Sequence, residues 1–494
     1  MHEEVFVKHK YNNNLHEKSL YIYVLGQNAS FILLYNTQKS ITFVPALKNT
    51  LKHTHLKETI SLSVPLILTQ IGHIITGMVD NIFLGRLGNT EQAAGILSNN
   101  LFVILLVFSI GMSYVLTPAI TDAHVNQNEK EKASLFKNSL FINVLVAIAL
   151  FIILFFSSPL LGRMQQPEDV VKLAIPFFNV LIFSIIPVAL FFVCKQYTEG
   201  LSNTKAAMYI SVGGNILNII LNYTLIYGKA GLPELGYMGS CWATFTARVF
   251  MGIGFLIFVF KHKSVNSFAR YYKEAKINAQ HFWILLKDGL ASALQFTFEV
   301  AAFAIAGLLA GVFGKEQIDA HGIALSLAAF TYMFASGIGS ATTIRVGNYY
   351  AKNDLENLKL AIKTSYKSVI VTMGFMALIF ICFNTILPVV FSSDAEIILI
   401  ASKLLLFAAL FQLFDGTQVV AIGALRGLED YKYPTYIAFI GYWVIALPLC
   451  YVFAFTLGYK VYGVWLALSI GLGFVAIALS IRIRNLIKMK SILG

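Results

Sequence analysis

From Thr59 to the C-terminus, apolar runs of about 20 to 28 residues alternate with short polar breaks. A helix needs about 20 mostly apolar residues to cross the hydrocarbon core of a bilayer, and in lipid each segment must satisfy its own backbone hydrogen bonds. Twelve runs meet that length: 59–86, 92–118, 136–158, 170–194, 206–228, 236–260, 282–312, 317–344, 366–391, 396–423, 433–457 and 461–484. The pattern predicts an all-α membrane protein with about twelve transmembrane helices. Composition agrees, because the 494 residues are 57% hydrophobic and 13% charged, against roughly a quarter charged in a soluble domain. The net charge of +12 is no sign of a nucleic-acid partner, since the basic residues fall in the breaks, where they set orientation in a bilayer. Pro176, Pro187 and Pro448 lie inside runs and read as static kinks. Cys194, Cys241, Cys382 and Cys450 also lie inside runs, and read as inert buried thiols.

Lys and Arg are unevenly shared between alternate breaks. One set, with the C-terminal tail, holds about 21, from Lys130 to Lys490; the other holds only Arg86, Arg163, Lys172, Lys229, Lys315 and Lys460. By the positive-inside rule the rich side is cytoplasmic, which puts both termini and the long 261–280 break inside. That break sits near the midpoint of the twelve runs. The halves also resemble each other: 199–215 aligns with 426–442, GNTEQAAGI (88–96) with GKEQIDAHGI (314–323), and SIGMS (109–113) with SGIGS (336–340), at an offset near 225–228. A constant offset is the mark of a duplicated fold. The expected organisation is an N-terminal extension over 1–55, a first six-helix lobe over 56–260, a cytoplasmic linker over 261–281, and a second lobe with a basic tail over 282–494. Two pseudo-symmetric lobes would leave a central cleft for substrate near mid-membrane. The extension fits neither a span nor the repeat, shows no signal-peptide pattern, and is expected to be poorly ordered or to lie upstream of the true start.

Three acids interrupt the runs. Glu299 sits near the centre of LASALQFTFEVAAFAIAGLL (290–309), Asp80 in QIGHIITGMVDNIFLG, and Asp415 in FAALFQLFDGTQVV. A charged group at the middle of a membrane helix costs about 2.5–3.5 kcal/mol on insertion scales. Each acid is therefore neutral, paired, or facing water or a cation. None has Lys or Arg three or four residues away within its run, so a local pair is excluded and only another helix could supply a cation. The repeat does not duplicate them: Glu299 aligns near Ile74, Asp80 near Ile305 and Asp415 near Val188. Acids confined to one half point to a site grafted onto a symmetric scaffold. Asn218 and Asn222, four apart, share a helix face, and Thr244 follows in the next run. Such oxygens suit Na⁺ or a proton-linked network near Asp80, and equally suit interhelical hydrogen bonds. His73 lies seven residues before Asp80 and on its face, more in keeping with a buried donor than a proton relay.

MVDNIFLG early, LQFTFEVAAF at the start of the second half and FDGTQVVAIGALRG in the tenth run resemble the multidrug and toxic compound extrusion (MATE) family, bacterial NorM-like branch. The resemblance covers about Leu56 to Lys490. It implies an inner-membrane antiporter that expels drugs and other organic cations in exchange for Na⁺ or H⁺, with no cofactor and no obligatory protein partner. It further implies a second-lobe cation site at Glu299 and Asp415, and a first-lobe site at Asp80, Asn218, Asn222 and Thr244. Phe411 departs from relatives that carry Tyr four residues before the last Asp, and Asn222 from archaeal relatives that carry Asp. Two rivals differ in what they require. A lipid-linked oligosaccharide flippase would line its cleft with Arg and Lys, which are scarce inside these runs apart from Arg248. A membrane enzyme would need a nucleophile–His pair, a metal cluster or a carboxylate dyad on one helix, whereas most of the ten His lie in the extension or the breaks.

Overall fold

The computed structural model describes residues 5–8, 21–24, 45–163 and 167–493. It divides into two units, Met1–Thr54 and His55–Gly494. In the first, strands β1 (Val5–Lys8) and β2 (Tyr21–Val24) pair antiparallel, with Val5 opposite Val24, and helical turns begin at Pro45. The rest of the expected extension lies outside the described residues.

Among the described residues, the second unit is built from twelve helices long and apolar enough to cross a membrane. They are α1 (Thr54–Leu87), α2 (Asn89–Val125), α3 (Glu129–Ser157), α4 (Glu168–Gly200), α5 (Thr204–Ile226), α6 (Tyr237–Lys261), α7 (Ala279–Gly311), α8 (Lys315–Ala351), α9 (Leu355–Cys382), α10 (Ala395–Gly427), α11 (Lys432–Thr456) and α12 (Lys460–Lys490). They match the twelve expected runs, with most ends displaced by several residues. The largest difference is α9, which starts at Leu355 rather than 366. Asp354 caps it by accepting from the Asn357 backbone N–H at 3.1 Å, and the added turns carry Glu356, Lys359 and Lys363, which hydropathy alone excludes from an apolar run. Cys382 also departs from expectation: Cys194, Cys241 and Cys450 are buried, but Cys382 is exposed on the last turn of α9. The prolines act locally. The α-helical pattern of α4 breaks at Ser184, three residues before Pro187, and the residues before Pro448 wind as π-helix over Ile440–Ala446. Each proline removes a backbone donor and crowds the preceding turn.

The repeat is present in the backbone. Gln127 and Asn353 have φ of 53° and 54°, and Ser202 and Glu429 have 60° and 62°. These left-handed residues lie just past α2, α8, α4 and α10, at the spacing of the repeat, where a helix end turns its last carbonyls toward new donors. Asn128 and Asp354, which follow the first pair, both cap the next helix through their side chains. Each lobe has its own packed interior. Phe136, Tyr197 and Phe255 are buried in the first, with Phe268 of the linker packed against Phe136, and Tyr442 and Trp465 in the second.

The lobes approach backbone to backbone at two equivalent helix crossings in the half of the bundle nearer the linker. At α2–α7, a Cβ on Gly111 would stand 2.5 Å from the Cα of Ala293; at α8–α1, a Cβ on Gly337 would stand 2.9 Å from the backbone N of Ile67. Only glycine permits backbones this close. The two glycines are 226 residues apart, so one contact occurs twice. Polar contacts join the same seam. Asn348 donates to Ser202 Oγ at 3.1 Å, and Arg345 reaches Thr59 (2.7 Å), Glu58 (3.0 Å) and His55 at the start of α1.

Candidate functional site

Beyond these crossings, on the side away from the linker, a cavity of about 590 Å³ lies between the lobes. That is the volume range of drug-sized pockets. Its wall is mainly apolar and aromatic, with Phe191 and Phe192 from α4, Phe296 and Phe303 from α7, and Phe411 from α10. Glu299 and Asp415 both reach it, 7% and 5% exposed. Glu299 Oε2 accepts from Gln295 Nε2 at 3.2 Å and Oε1 from Gln418 Nε2 at 3.1 Å. The Tyr442 hydroxyl donates to Gln418 Oε1 at 2.9 Å. Asp415 lies in electrostatic range of Glu299; among the described residues neither acid forms an ion pair, and Asp415 has no hydrogen-bond partner. Arg426 lies in electrostatic range of Glu299 without a direct contact, and a buried carboxylate with no closer partner is costly to leave charged.

Gln295 is held from its far side. Arg426 Nη2 donates to its Oε1 at 2.8 Å. The Arg426 guanidinium in turn sits over the rings of Tyr114 and Phe296, 4.3 and 4.8 Å from their centroids, and those rings stack on each other at 5.5 Å. Tyr114 belongs to the first lobe, at the break in α2. Phe411 packs edge-on against Phe303 and Trp465; the hydroxyl in this network is that of Tyr442.

The first-lobe residues also come together, inside the lobe rather than on the cavity wall. Asp80 Oδ1 accepts from Asn222 Nδ2 at 2.8 Å and Asn218 Nδ2 at 3.3 Å, and Oδ2 from Thr244 Oγ1 at 2.7 Å. All four are buried. The Oδ1 atoms of Asn218 and Asn222 are buried without a partner. Both amides present Nδ2, not Oδ1, to the carboxylate. The structure also supplies the cation from another helix that sequence reasoning left open: Arg248 of α6 lies in electrostatic range of Asp80, without a direct contact.

Gln295, Gln418, Tyr442 and Arg426 were not singled out from the sequence. Gln295 is four residues before Glu299 and Gln418 three after Asp415, so helical spacing alone places both beside an acid.

The MatE family model matches residues 65–224 and 291–452, so its second stretch begins 226 residues after the first, at the offset of the internal repeat. A probable multidrug resistance protein NorM of Mesorhizobium japonicum is 30% identical over 86% of this chain and 93% of that protein. The multidrug resistance protein MdtK of Photorhabdus laumondii is 30% identical over 87% of this chain and 96% of its own length. Among solved structures, the eukaryotic MATE transporter AtDTX14 superposes with a TM-score of 0.80 at 17% identity, over 87% of this chain and 96% of that one. A MATE protein in a bent conformation gives 0.81 at 18% identity, over 91% and 99%. The chain, a twelve-helix multi-pass membrane protein, belongs to the MATE family of multidrug efflux transporters.

Proposed function

We propose that the protein is a secondary antiporter of the bacterial inner membrane, with both termini cytoplasmic, exporting organic cations in exchange for Na⁺ or H⁺. The observation that carries this reading is the pair Glu299 and Asp415, drawn from α7 and α10 into one aromatic-lined cavity with no ion pair of their own among the described residues. A cationic substrate and a coupling ion compete there for the same negative charge, so each is released as the other binds. A ligand shifts two conformations only by its differential affinity; moving 1:99 to 99:1 takes about 10⁴-fold, or roughly 5.5 kcal/mol. An ion well coordinated in one state and partly hydrated in the other contributes a share of that. The Asp80 cluster is the alternative coupling site. A flippase is disfavoured because Arg248 is the one Lys or Arg on the cavity wall among the described residues. No catalytic step is assigned, in line with relatives named as transporters.

The test is dye efflux from proteoliposomes under imposed Na⁺ or H⁺ gradients. Glu299→Gln and Asp415→Asn keep shape and remove charge, and each should abolish gradient-driven transport while the protein stays folded and inserted. If both still pump uphill while Asp80→Asn does not, coupling belongs to the first lobe.

A further inference from the structure

Each lobe carries a histidine at the start of its first helix. His55 opens α1 and His281 opens α7, 226 residues apart, the spacing of the two close glycines. Each reaches the third helix of the opposite lobe. His55 Nε2 meets Asn357 Oδ1 of α9 at 3.1 Å, and His281 Nδ1 meets Ser134 Oγ of α3 at 3.0 Å. The lobes are thus clasped twice, at the linker ends of the same two helices that cross at Gly337 and Gly111.

The clasps differ in what they tolerate. A hydroxyl gives or accepts a hydrogen bond, so Ser134 suits either form of the His281 ring. The His55 clasp admits one form. Asn357 Nδ2 donates to Asp354 Oδ2 at 2.6 Å, which turns its Oδ1 to His55 and makes Nε2 the donor. At the other edge of the ring, Nδ1 meets Nη2 of Arg345 in α8. A guanidinium only donates, so Nδ1 must be a bare acceptor and the ring neutral. Arg345 is itself buried, and Thr59 Oγ1 at 2.7 Å and Glu58 Oε2 at 3.0 Å hold it against the ring. The second clasp has no such cation, because the position equivalent to Arg345 is Ala119. Two carboxylates, Glu58 and Asp354, are in electrostatic range of His55, and neither bonds to its ring. Glu58 Oε2 accepts from Arg345 and from the Tyr349 hydroxyl at 3.3 Å, and Asp354 has both oxygens on Asn357. The Tyr349 ring lies 5.7 Å from the imidazole. A proton added at Nδ1 therefore sets donor against donor and cation against cation, and the ring must leave Arg345.

We infer that His55 is a pH sensor of the lobe seam: a proton taken up from the cytoplasmic side releases its clasp and favours the arrangement in which the lobes part there. The His281 clasp is indifferent to the proton. Imidazole is the side chain whose ordinary titration falls between about pH 5 and 8, so acidification of the cytosol is the signal. A falling cytosolic pH raises the share of molecules open to the cytosol. The cytoplasmic placement rests on the orientation proposed above; the chemistry of the clasp does not.

Spin labels on cysteines at Lys130 and Glu356 read the seam. These exposed positions are equivalent in the repeat and lie in the first turns of α3 and α9. Distances are measured by pulsed electron resonance on the purified full-length protein in micelles, frozen at about pH 8 and about pH 5.5, a span that covers imidazole titration. The parent carries Cys382→Ser, and Glu299→Gln with Asp415→Asn so that the cavity carboxyls do not titrate. Its ratio of shut to parted molecules should fall about tenfold on acidification, the change that a tenfold preference of the proton for the parted arrangement allows. Glu429 at the same seam acts with the opposite sign. Burial, then Asp122 and Asp288, push its carboxyl upward, so acid relieves repulsion between the lobes. His55→Gln should accordingly leave the ratio flat or make it rise on acidification, and Arg345→Gln should blunt the fall. His281→Gln should lower the ratio at both pH values and keep the fall. A parent ratio that does not fall, or a fall that survives His55→Gln, overturns the sensor, and neither result bears on the cavity, whose acids are absent throughout. In sealed vesicles with only the bath acidified, the fall should appear when the cytoplasmic face is outside. Its appearance in right-side-out vesicles instead overturns the cytoplasmic placement.

Discussion

Gly111→Ala is the smallest change that tests how the lobes close. The new Cβ would stand 2.5 Å from the Cα of Ala293 and 2.9 Å from its backbone N. Carbon atoms rest at about 3.5–4.0 Å, so α2 and α7 must part by about an ångström. The clash is against backbone, which no rotamer relieves. Forcing an extra methyl into a packed contact costs about 1–3 kcal/mol. If the cost falls only on the arrangement in which the seam is shut, the ratio of shut to open molecules drops by about five- to 150-fold, at tenfold per 1.4 kcal/mol. A Cys pair at Ser202 and Asn348, whose native side chains touch across the lobes, reports that ratio by oxidative crosslinking in membranes. The exposed Cys382 is first replaced by Ser. Crosslinking should be efficient in this background and fall sharply with Gly111→Ala; Gly337→Ala, at the equivalent crossing, should do the same. Undiminished crosslinking in both variants would show that the glycines do not set the seam.

Further outcomes follow from other parts of the chain. A Cys at Ser267, in the linker, should resist labelling from outside intact cells while one at Ser393 reacts; the reverse pattern ends the orientation proposed above. Deleting residues 1–50 should leave expression and drug resistance nearly unchanged, and loss of membrane insertion would contradict that. Asn222→Asp places a second carboxyl group against Asp80, replacing a 2.8 Å hydrogen bond. Na⁺ should then raise its melting temperature more than that of the wild type, since a ligand at 100 times its Kd adds about 2.7 kcal/mol; an equal response to Na⁺ and K⁺ would remove the first lobe as a cation site. Trp465→Ala empties a fully buried position that bonds His321 Nδ1 at 3.1 Å. A loss of about 3–5 kcal/mol is expected, read as a lower melting temperature, and an unchanged one would show the second-lobe interior to be loosely packed.

The spans and the repeat were legible because lipid imposes a length on each apolar run and duplication imposes an offset. Asp80, Asn218, Asn222 and Thr244 were legible as a group because two asparagines four apart must share a face. Helix ends were less so. Lys359 and Lys363 belong to α9, yet they leave the apolar run, and no hydropathy pattern separates a helix that projects from the membrane from a loop. The glutamines at 295 and 418 gave a usable signal, their spacing from the acids. Arg248 gave only a misleading one, as a basic residue near the end of a run. Its place depends on Ser184 and Phe102, which sit far away in sequence and become neighbours only when α2, α4 and α6 pack. Gly111 and Gly337 fell within an aligned motif, but the backbone contact that requires them is a property of the assembled lobes.

The contact of Arg426 with Tyr114 has a mechanical meaning. Glu299 grips Gln295, Gln295 is gripped by Arg426, and Arg426 rests on a ring of the opposite lobe. The linkage is two side chains long. A ligand that pulls Glu299 away from Gln295 therefore slackens, in the same event, the bearing on which one lobe rides against the other, and no signal has to travel through a helix.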